Sequence, residues 1–124
     1  IAEIAAGYDF SFFEHWPTDQ IGHRGGLDEA VAHLELIDAV LGGLLAAWDE
    51  ARGLLIITSD HGNLEEKAHR QHTRNPVPTI LFGREHARHA AAIRDLTGIA
   101  AAARGLLGLP QPEPAPSTGL SRGD

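Results

Sequence analysis

The clearest pattern along the chain is a run of four apolar residues at positions 54–57 that ends abruptly in the polar sequence TSDHG. Two of the four are β-branched, and a short apolar run with a polar end predicts a buried strand. Asp60 and His61 stand where that strand ends. Ligands bind outside the carboxyl ends of parallel strands, so the pattern predicts a metal or phosphate site there. The alternative is an ordinary turn that Asp60 caps.

A helical pattern occupies residues 27–48, where apolar residues recur at intervals of three and four. Such spacing predicts an amphipathic helix with one buried face. Asp28 and Glu29 lie in its first turn, where carboxylates stabilise the N-terminal end of the helix dipole. The residues expected on the buried face are Leu27, Val31, Leu34, Ile37, Leu41, Leu44, Leu45 and Trp48.

Four further segments complete the predicted architecture. Residues 8–16 contain five aromatic residues and predict a strand covered on both faces. Residues 76–83 predict a third strand, with prolines tolerated at its start. Residues 63–75 predict a long polar loop, and residues 93–107 a further helix. A strand–helix–strand unit should be parallel and right-handed, so the chain predicts an α/β fold with a mostly parallel sheet flanked by helices.

The length of 124 residues corresponds to one domain or to a piece of a larger one. We expect a folded domain over residues 1–109. Residues 110–124 are rich in proline, serine and glycine, and they predict an extended tail.

Composition narrows the class of function. The formal net charge is −7, which argues against a nucleic acid or an anionic membrane as partner. Cysteine is absent, which fits a reducing compartment, and we expect a cytoplasmic protein. No uninterrupted run of about 18 apolar residues occurs, so no membrane span is expected. Eight histidines are many for this length and point towards metal binding.

Three clusters of candidate ligands follow predicted strands: Asp19 with His23, Asp60 with His61, and His72. Asp19 and His23 are four residues apart, so a single helical turn places both on one face. Carboxylate and imidazole together are the ligands expected for zinc or manganese rather than calcium. The alternatives are a local hydrogen-bonded pair for Asp19 and His23, and a surface position for His72.

Other charged residues near these clusters have weaker assignments. Arg24 and Arg74 flank candidate ligands and could bind a substrate phosphate through bidentate hydrogen bonds. Glu65, Glu66 and Lys67 are expected to form an ordinary solvated charge run.

Three segments together resemble the C-terminal signature of the alkaline phosphatase superfamily: DQIGHRG at 19–25, SDHGN at 59–63 and HTRNPVP at 72–78. The resemblance is closest to the branch of cofactor-independent phosphoglycerate mutases and phosphopentomutases. It implies a partial three-layer, alkaline phosphatase-like α/β fold. It also implies that this chain is the C-terminal portion of a longer enzyme.

The resemblance further implies two divalent ions, manganese or zinc. Asp19, His23 and His72 would hold one ion, and Asp60 and His61 would help to hold the second. In that family the second site is completed by an upstream Asp and a Ser or Thr nucleophile, and no matching segment is found here. Histidine must be deprotonated to bind a metal, so metal affinity should fall as the pH falls.

The expected function is therefore the C-terminal segment of a two-metal phosphoryl-transfer enzyme: a phosphatase, phosphodiesterase or phosphomutase acting on a small phosphorylated substrate. The catalytic nucleophile would lie outside this chain, and the segment alone should be inactive. The alternative is a non-catalytic metal-binding or assembly module that retains the fold. A partial sheet should expose apolar edges, so self-association is expected as well.

Overall fold

A computed structural model describes residues 1–111 of the chain. The described chain divides into two compact units, with the boundary between Ala91 and Ala92. Most of the predicted tail at 110–124 lies outside the described residues. The regular elements, in chain order, are α1 (Ala2–Ala6), α2 (Pro17–Arg24), α3 (Leu27–Ala47), β1 (Leu54–Thr58), β2 (Thr79–Gly83), α4 (His86–Ala92) and α5 (Thr97–Leu106).

Helix α2 contains the single helical turn that would place Asp19 and His23 on one face. Pro17 stands at its start, where a fixed φ favours the helix and the missing N–H costs no hydrogen bond. Ile21 and Gly22 on this helix are buried. The chain leaves the helix in an extended conformation at Gly25. Helix α2 packs against α3, which gives the first unit its helical layer.

Helix α3 confirms the predicted helix at 27–48 to within one residue. The predicted buried face is only partly covered within residues 1–111, because few elements pack against so long a helix. Ala30 and Leu44 are buried, whereas Leu27 and Leu34 are 65% and 49% exposed.

The same helix, α3, is long and apolar enough to cross a membrane by length and composition alone. Its most apolar window has a mean hydropathy of 1.7. The expectation that the chain has no membrane span stays a prediction. That expectation considered only uninterrupted apolar runs. Glu35 and Asp38 interrupt the apolar sequence of α3, but its mean hydropathy stays high. A helix from the core of a larger soluble domain meets the same criteria.

Strands β1 and β2 confirm two of the three predicted strands, but they pair antiparallel rather than parallel. The register places Leu54 opposite Gly83 and Thr58 opposite Thr79. Parallel pairing needs a crossover, usually a helix, which returns the chain to the end of the sheet where the first strand began. The connection at 59–78 contains no helix, so β2 runs back along β1. Within residues 1–111 these two strands are the whole sheet, and the expected three-layer arrangement is not formed.

The predicted strand at 8–16 is wrong within the described structure, because this segment has no regular secondary structure. A strand needs a neighbouring strand to satisfy its backbone hydrogen bonds, and none of residues 1–111 provides one here. Its aromatic side chains are consequently exposed: Tyr8 by 71%, Phe10 by 60% and Phe12 by 75%. The predicted strand–helix–strand unit therefore lacks its first strand, and the fold is a partial α/β arrangement.

The predicted loop at 63–75 is confirmed, and it returns towards the end of β1. Gly62 and Thr73 form an isolated antiparallel bridge. In that bridge the Thr73 N–H donates to the Gly62 carbonyl at 2.7 Å. In the second unit, α5 occupies ten of the residues predicted as helix at 93–107.

Candidate metal centre

Helix α2 places Asp19 and His23 on one face, as the four-residue spacing predicts. The Asp19 Oδ1 and His23 Nε2 atoms are 3.3 Å apart. About a third of each side chain is exposed. The pair therefore lies at the surface of the unit, accessible to a small solute.

His72 comes to this pair from the loop at 63–75. Its Nε2 atom lies 3.0 Å from His23 Nε2 and 3.3 Å from Asp19 Oδ1. Tetrahedral ligands of a zinc-sized ion, each about 2.1 Å from the metal, are about 3.4 Å from one another. Asp19, His23 and His72 are thus spaced close to three corners of such a tetrahedron.

His61 joins the same cluster. Its ring stacks on the ring of His72, with centroids 3.6 Å apart, and its Nε2 lies 4.0 Å from Asp19 Oδ1. One donor atom each from Asp19, His61 and His72 lies within 4.8 Å of the other two. The sequence grouped His61 with Asp60, whereas Asp19 is the residue near which all three histidines meet.

Two predicted site residues stand outside this cluster, and a third lies at its exposed edge. The Asp60 side chain is 85% exposed, and its Oδ2 lies 3.6 Å from His61 Nε2. Arg24 and Arg74 are exposed, and neither makes an ion pair or a side-chain hydrogen bond within residues 1–111.

A backbone contact fixes which nitrogen of His23 faces the cluster. Its Nδ1 lies 2.8 Å from the carbonyl oxygen of Arg70. A carbonyl only accepts, so Nδ1 carries the proton, and in the neutral ring Nε2 presents a lone pair to Asp19 and His72. Metal-binding histidines are typically oriented in this way through their second nitrogen.

Asn63 belongs to the cluster, although the sequence gave it no separate role. It is 5% exposed, and its Nδ2 donates to Asp19 Oδ1 at 3.2 Å and to His23 Nε2 at 3.3 Å. Both partners are acceptors, which supports this orientation of the amide. Gly22 on α2 leaves the space for Asn63, because a Cβ at position 22 would collide with its amide group. The local sequence SDHGN could not indicate this contact, since Asp19 is 44 residues away.

The charge run at 65–67 is not merely solvated, contrary to the sequence expectation. Glu65 accepts hydrogen bonds from the Asn63 N–H at 2.7 Å, the Thr73 hydroxyl and the Asn75 amide. The Thr73 hydroxyl above all lowers the pKa of Glu65 to about 2. Lys67 Nζ donates to the carbonyl oxygens of Ile21 at 2.9 Å and Gly22 at 3.3 Å.

The donor set fits a cation. Asp19 Oδ1 and the lone pair of neutral His23 Nε2 are both acceptors, and they lie 3.3 Å apart with the Asn63 amide as a shared donor. Both acceptors are groups that bind a cation directly. The neighbouring His61 Nδ1 is buried without a hydrogen-bond partner among the described residues. Carboxylate and imidazole are ligands that suit zinc and manganese.

The whole described segment, residues 1–111, matches the family model of the metalloenzyme superfamily. The chain belongs to that superfamily. All the clustered donors, and all three signature segments, lie inside the matched region. Membership confirms the resemblance to the alkaline phosphatase superfamily that those segments carry.

Relatives in this superfamily are 2,3-bisphosphoglycerate-independent phosphoglycerate mutases. The protein of that name from Dinoroseobacter shibae is 40% identical over 119 residues, which cover 90% of this chain and 23% of the relative. The protein from a Ruegeria species is 38% identical over 122 residues, covering 91% of this chain and 24% of the relative. The chain thus spans about a quarter of the length of these relatives. No solved structure matches the chain significantly.

Proposed function

We propose that this chain is the metal-ligating segment of a two-metal phosphoryl-transfer enzyme, most closely a phosphomutase acting on a small phosphorylated substrate in the cytoplasm. The observation that carries the proposal is the convergence of Asp19, His23 and His72 at separations of 3.0–3.3 Å. Similarity to phosphoglycerate mutases supports the reaction class, and similarity to the metalloenzyme superfamily supports the requirement for metal.

Within that function, Asp19, His23 and His72 hold one divalent ion, manganese or zinc. His61 contributes to a second ion together with Asp60, whose exposed side chain is free to turn towards it. When bound, two such ions polarise a phosphoryl group and activate a hydroxyl nucleophile. The protein's own task is to orient the imidazoles, which the Arg70 carbonyl does for His23.

The nucleophile of this proposal is a Ser or Thr upstream of this chain, as the family resemblance implies. Three hydroxyl residues stand beside the site residues in sequence, and all three are engaged. The Thr18 hydroxyl donates to the His15 carbonyl at 3.4 Å. The Ser59 hydroxyl donates to the His61 carbonyl at 2.8 Å, and the Thr73 hydroxyl donates to Glu65. We therefore expect the 124-residue chain with manganese or zinc to hydrolyse no p-nitrophenyl phosphate. Steady turnover that is lost on Asp19→Asn would show instead that the chain contains its own nucleophile.

Arg24 and Arg74 are the proposed contacts to the substrate phosphate. Both guanidinium groups are exposed and each flanks a ligand, Arg24 following His23 and Arg74 standing two residues after His72. A guanidinium binds phosphate oxygens through two parallel hydrogen bonds. Neither arginine makes an ion pair or a side-chain hydrogen bond within residues 1–111 that would compete for those bonds.

The test of the metal site is isothermal titration calorimetry of the metal-free chain with manganese or zinc. Asp19→Asn keeps the shape of the side chain but removes its charge, and we expect it to weaken binding at least tenfold. The matched control is Asp38→Asn, an exposed carboxylate on α3, which should leave the affinity unchanged. Equal affinity in wild type and Asp19→Asn would refute the ligand assignment.

The exposed apolar surface favours a second candidate, a binding or assembly module. Phe12, Phe13 and Trp16 are between 63% and 75% exposed, which is unusual for a surface without a partner. Such a module could keep the metal only as a structural element. A metal that binds tightly but can be replaced by magnesium or calcium without loss of folding would favour this candidate.

A further inference from the structure

Hydrogen bonds to a single carboxylate anchor the loop that carries His72. Glu65 accepts from the Asn63 N–H at 2.7 Å and the Asn75 amide at 2.9 Å, and it also accepts from the Thr73 hydroxyl. These partners lie on both arms of the loop, one just after β1 and two just after His72. Glu65, although exposed, therefore links the two arms of the loop next to the Gly62–Thr73 bridge.

A second contact ties the same loop to helix α2. Lys67 Nζ donates to the carbonyl oxygens of Ile21 and Gly22, at 2.9 Å and 3.3 Å. These carbonyls belong to the C-terminal end of a helix, where a cation is favoured, and the Ile21 carbonyl also accepts from the Gly25 N–H at 2.8 Å. Because α2 also carries Asp19 and His23, Lys67 joins the two segments that supply the clustered ligands.

We propose that Glu65 and Lys67 are positioning residues that fix the His72 loop and helix α2 in the arrangement a metal ion requires before the ion arrives. This inference rests on the proposed metal site and adds residues that touch none of its ligands. Glu65 fixes the conformation of the loop, and Lys67 fixes the distance between the loop and α2. Ligands held in place in advance lose less conformational freedom on binding, so the affinity is higher.

The neighbouring residue supplies the comparison that separates positioning from ordinary surface charge. Glu66 stands between the two anchors, and its side chain makes no hydrogen bond or ion pair within residues 1–111. In a solvated charge run, none of the three side chains would make hydrogen bonds to other segments. Instead, Glu65 and Lys67 together make five hydrogen bonds to other segments or to backbone groups, at distances of up to 3.3 Å.

The first experiment measures metal affinity by calorimetry on the full chain. Glu65→Gln and Lys67→Gln should each weaken manganese or zinc binding by on the order of tenfold, the scale found for outer partners of metal ligands. Glu66→Gln is the matched control and should bind like wild type. Asp19→Asn, which removes a ligand, marks the full loss of the site.

The second experiment asks whether the effect passes through the loop. Thr73→Val removes the hydroxyl that Glu65 accepts, whereas Thr73→Ser retains it. We expect Val to weaken metal binding and Ser to restore it, with a matching change in the visible absorption spectrum of the cobalt-loaded protein. In the metal-free protein, hydrogen exchange of the Thr73 amide, which donates to Gly62, should quicken in Glu65→Gln but not in Glu66→Gln.

These outcomes separate the positioning roles of Glu65 and Lys67 from the proposed metal site on which they depend. If Asp19→Asn abolishes binding while Glu65→Gln and Lys67→Gln bind like wild type, the positioning roles are wrong and the metal site stands. If Asp19→Asn also leaves binding unchanged, the metal site itself is wrong. Unchanged exchange of the Thr73 amide in Glu65→Gln would contradict the loop anchor even if the affinity fell.

Discussion

At the scale of single residues, the acidic side chains of this site have distinct tasks. Asp19 lies among three imidazoles, whereas Glu65 meets only hydrogen-bond donors. Donors stabilise the charged carboxylate, and the Thr73 hydroxyl is the largest cause of the low pKa of Glu65, about 2 against an ordinary 4.5. Glu65 therefore keeps its negative charge, and its hold on the loop, in moderately acidic solution.

A pH prediction follows from the direction of this shift. A carboxyl with a lowered pKa stabilises the folded state above its unfolded value of 4.5, and the stabilisation is lost as the pH falls towards about 2. In metal-free protein with a chelator, the midpoint of thermal unfolding should be lower for Glu65→Gln than for wild type at pH 7. The two midpoints should converge between pH 4.5 and 2. A difference that persists unchanged at pH 2 would assign the effect to something other than this charge.

At this scale, the sequence predicted contacts between residues that are close in the chain and missed those between residues far apart in it. The spacing of Asp19 and His23 is local, so their common face followed from helical periodicity alone. The tie between Lys67 and Ile21 spans 46 residues, and that between Asn63 and Asp19 spans 44. No local pattern signals such contacts, and for that reason residues 65–67 were interpreted as solvated.

At the scale of elements, α2 approaches the β1 end closely enough to require glycine. A Cβ at Gly22 would collide with the Asn63 amide, whereas a Cβ at Gly43 on α3 would meet nothing within 4 Å. Both glycines lie inside helices, where Ala is favoured over Gly by about 1 kcal/mol. Gly43→Ala should therefore raise the free energy of unfolding by about 0.5–1 kcal/mol.

Gly22→Ala should behave in the opposite way. The added methyl group displaces Asn63 from Asp19 and His23, so we expect lower stability and weaker metal binding. Chemical denaturation and calorimetry of the two variants measure both quantities. Stabilisation by both substitutions alike would mean that α2 and Asn63 are not in close contact.

Elements with a strong local pattern were predicted correctly, and the pairing between them was not. The periodicity of α3 and the apolar run of β1 each gave an element within one or two residues of its bounds. The direction of β2 and the state of residues 8–16 depend on which strands are present to pair with them. Neither can be read from a local period, since an aromatic segment forms a strand only beside a partner.

At the scale of the whole molecule, the described chain leaves a large apolar surface uncovered. Phe12 and Phe13 are 75% and 66% exposed, and Val40 on α3 is 52% exposed. Exposed apolar surface on this scale favours association. We expect sedimentation velocity to show self-association that increases with concentration.

A double substitution tests which surface is responsible. Phe12→Ser combined with Phe13→Ser should shift the equilibrium towards monomer, while Glu35→Gln, an exposed change on α3, should not. A chain that stays monomeric at all concentrations would contradict the expected association. Association unchanged by the double substitution would assign it to α3 or to the edges of the sheet instead.

The central claim is that Asp19, His23 and His72 bind one divalent ion, and anomalous diffraction tests it most directly. Crystals grown with manganese or zinc should show an anomalous peak about 2.0–2.2 Å from the Asp19 carboxylate and from Nε2 of both histidines. A competing site exists at the surface, where the Nε2 atoms of His15 and His33 lie 2.8 Å apart. A peak at that pair, with none beside Asp19, would contradict the account.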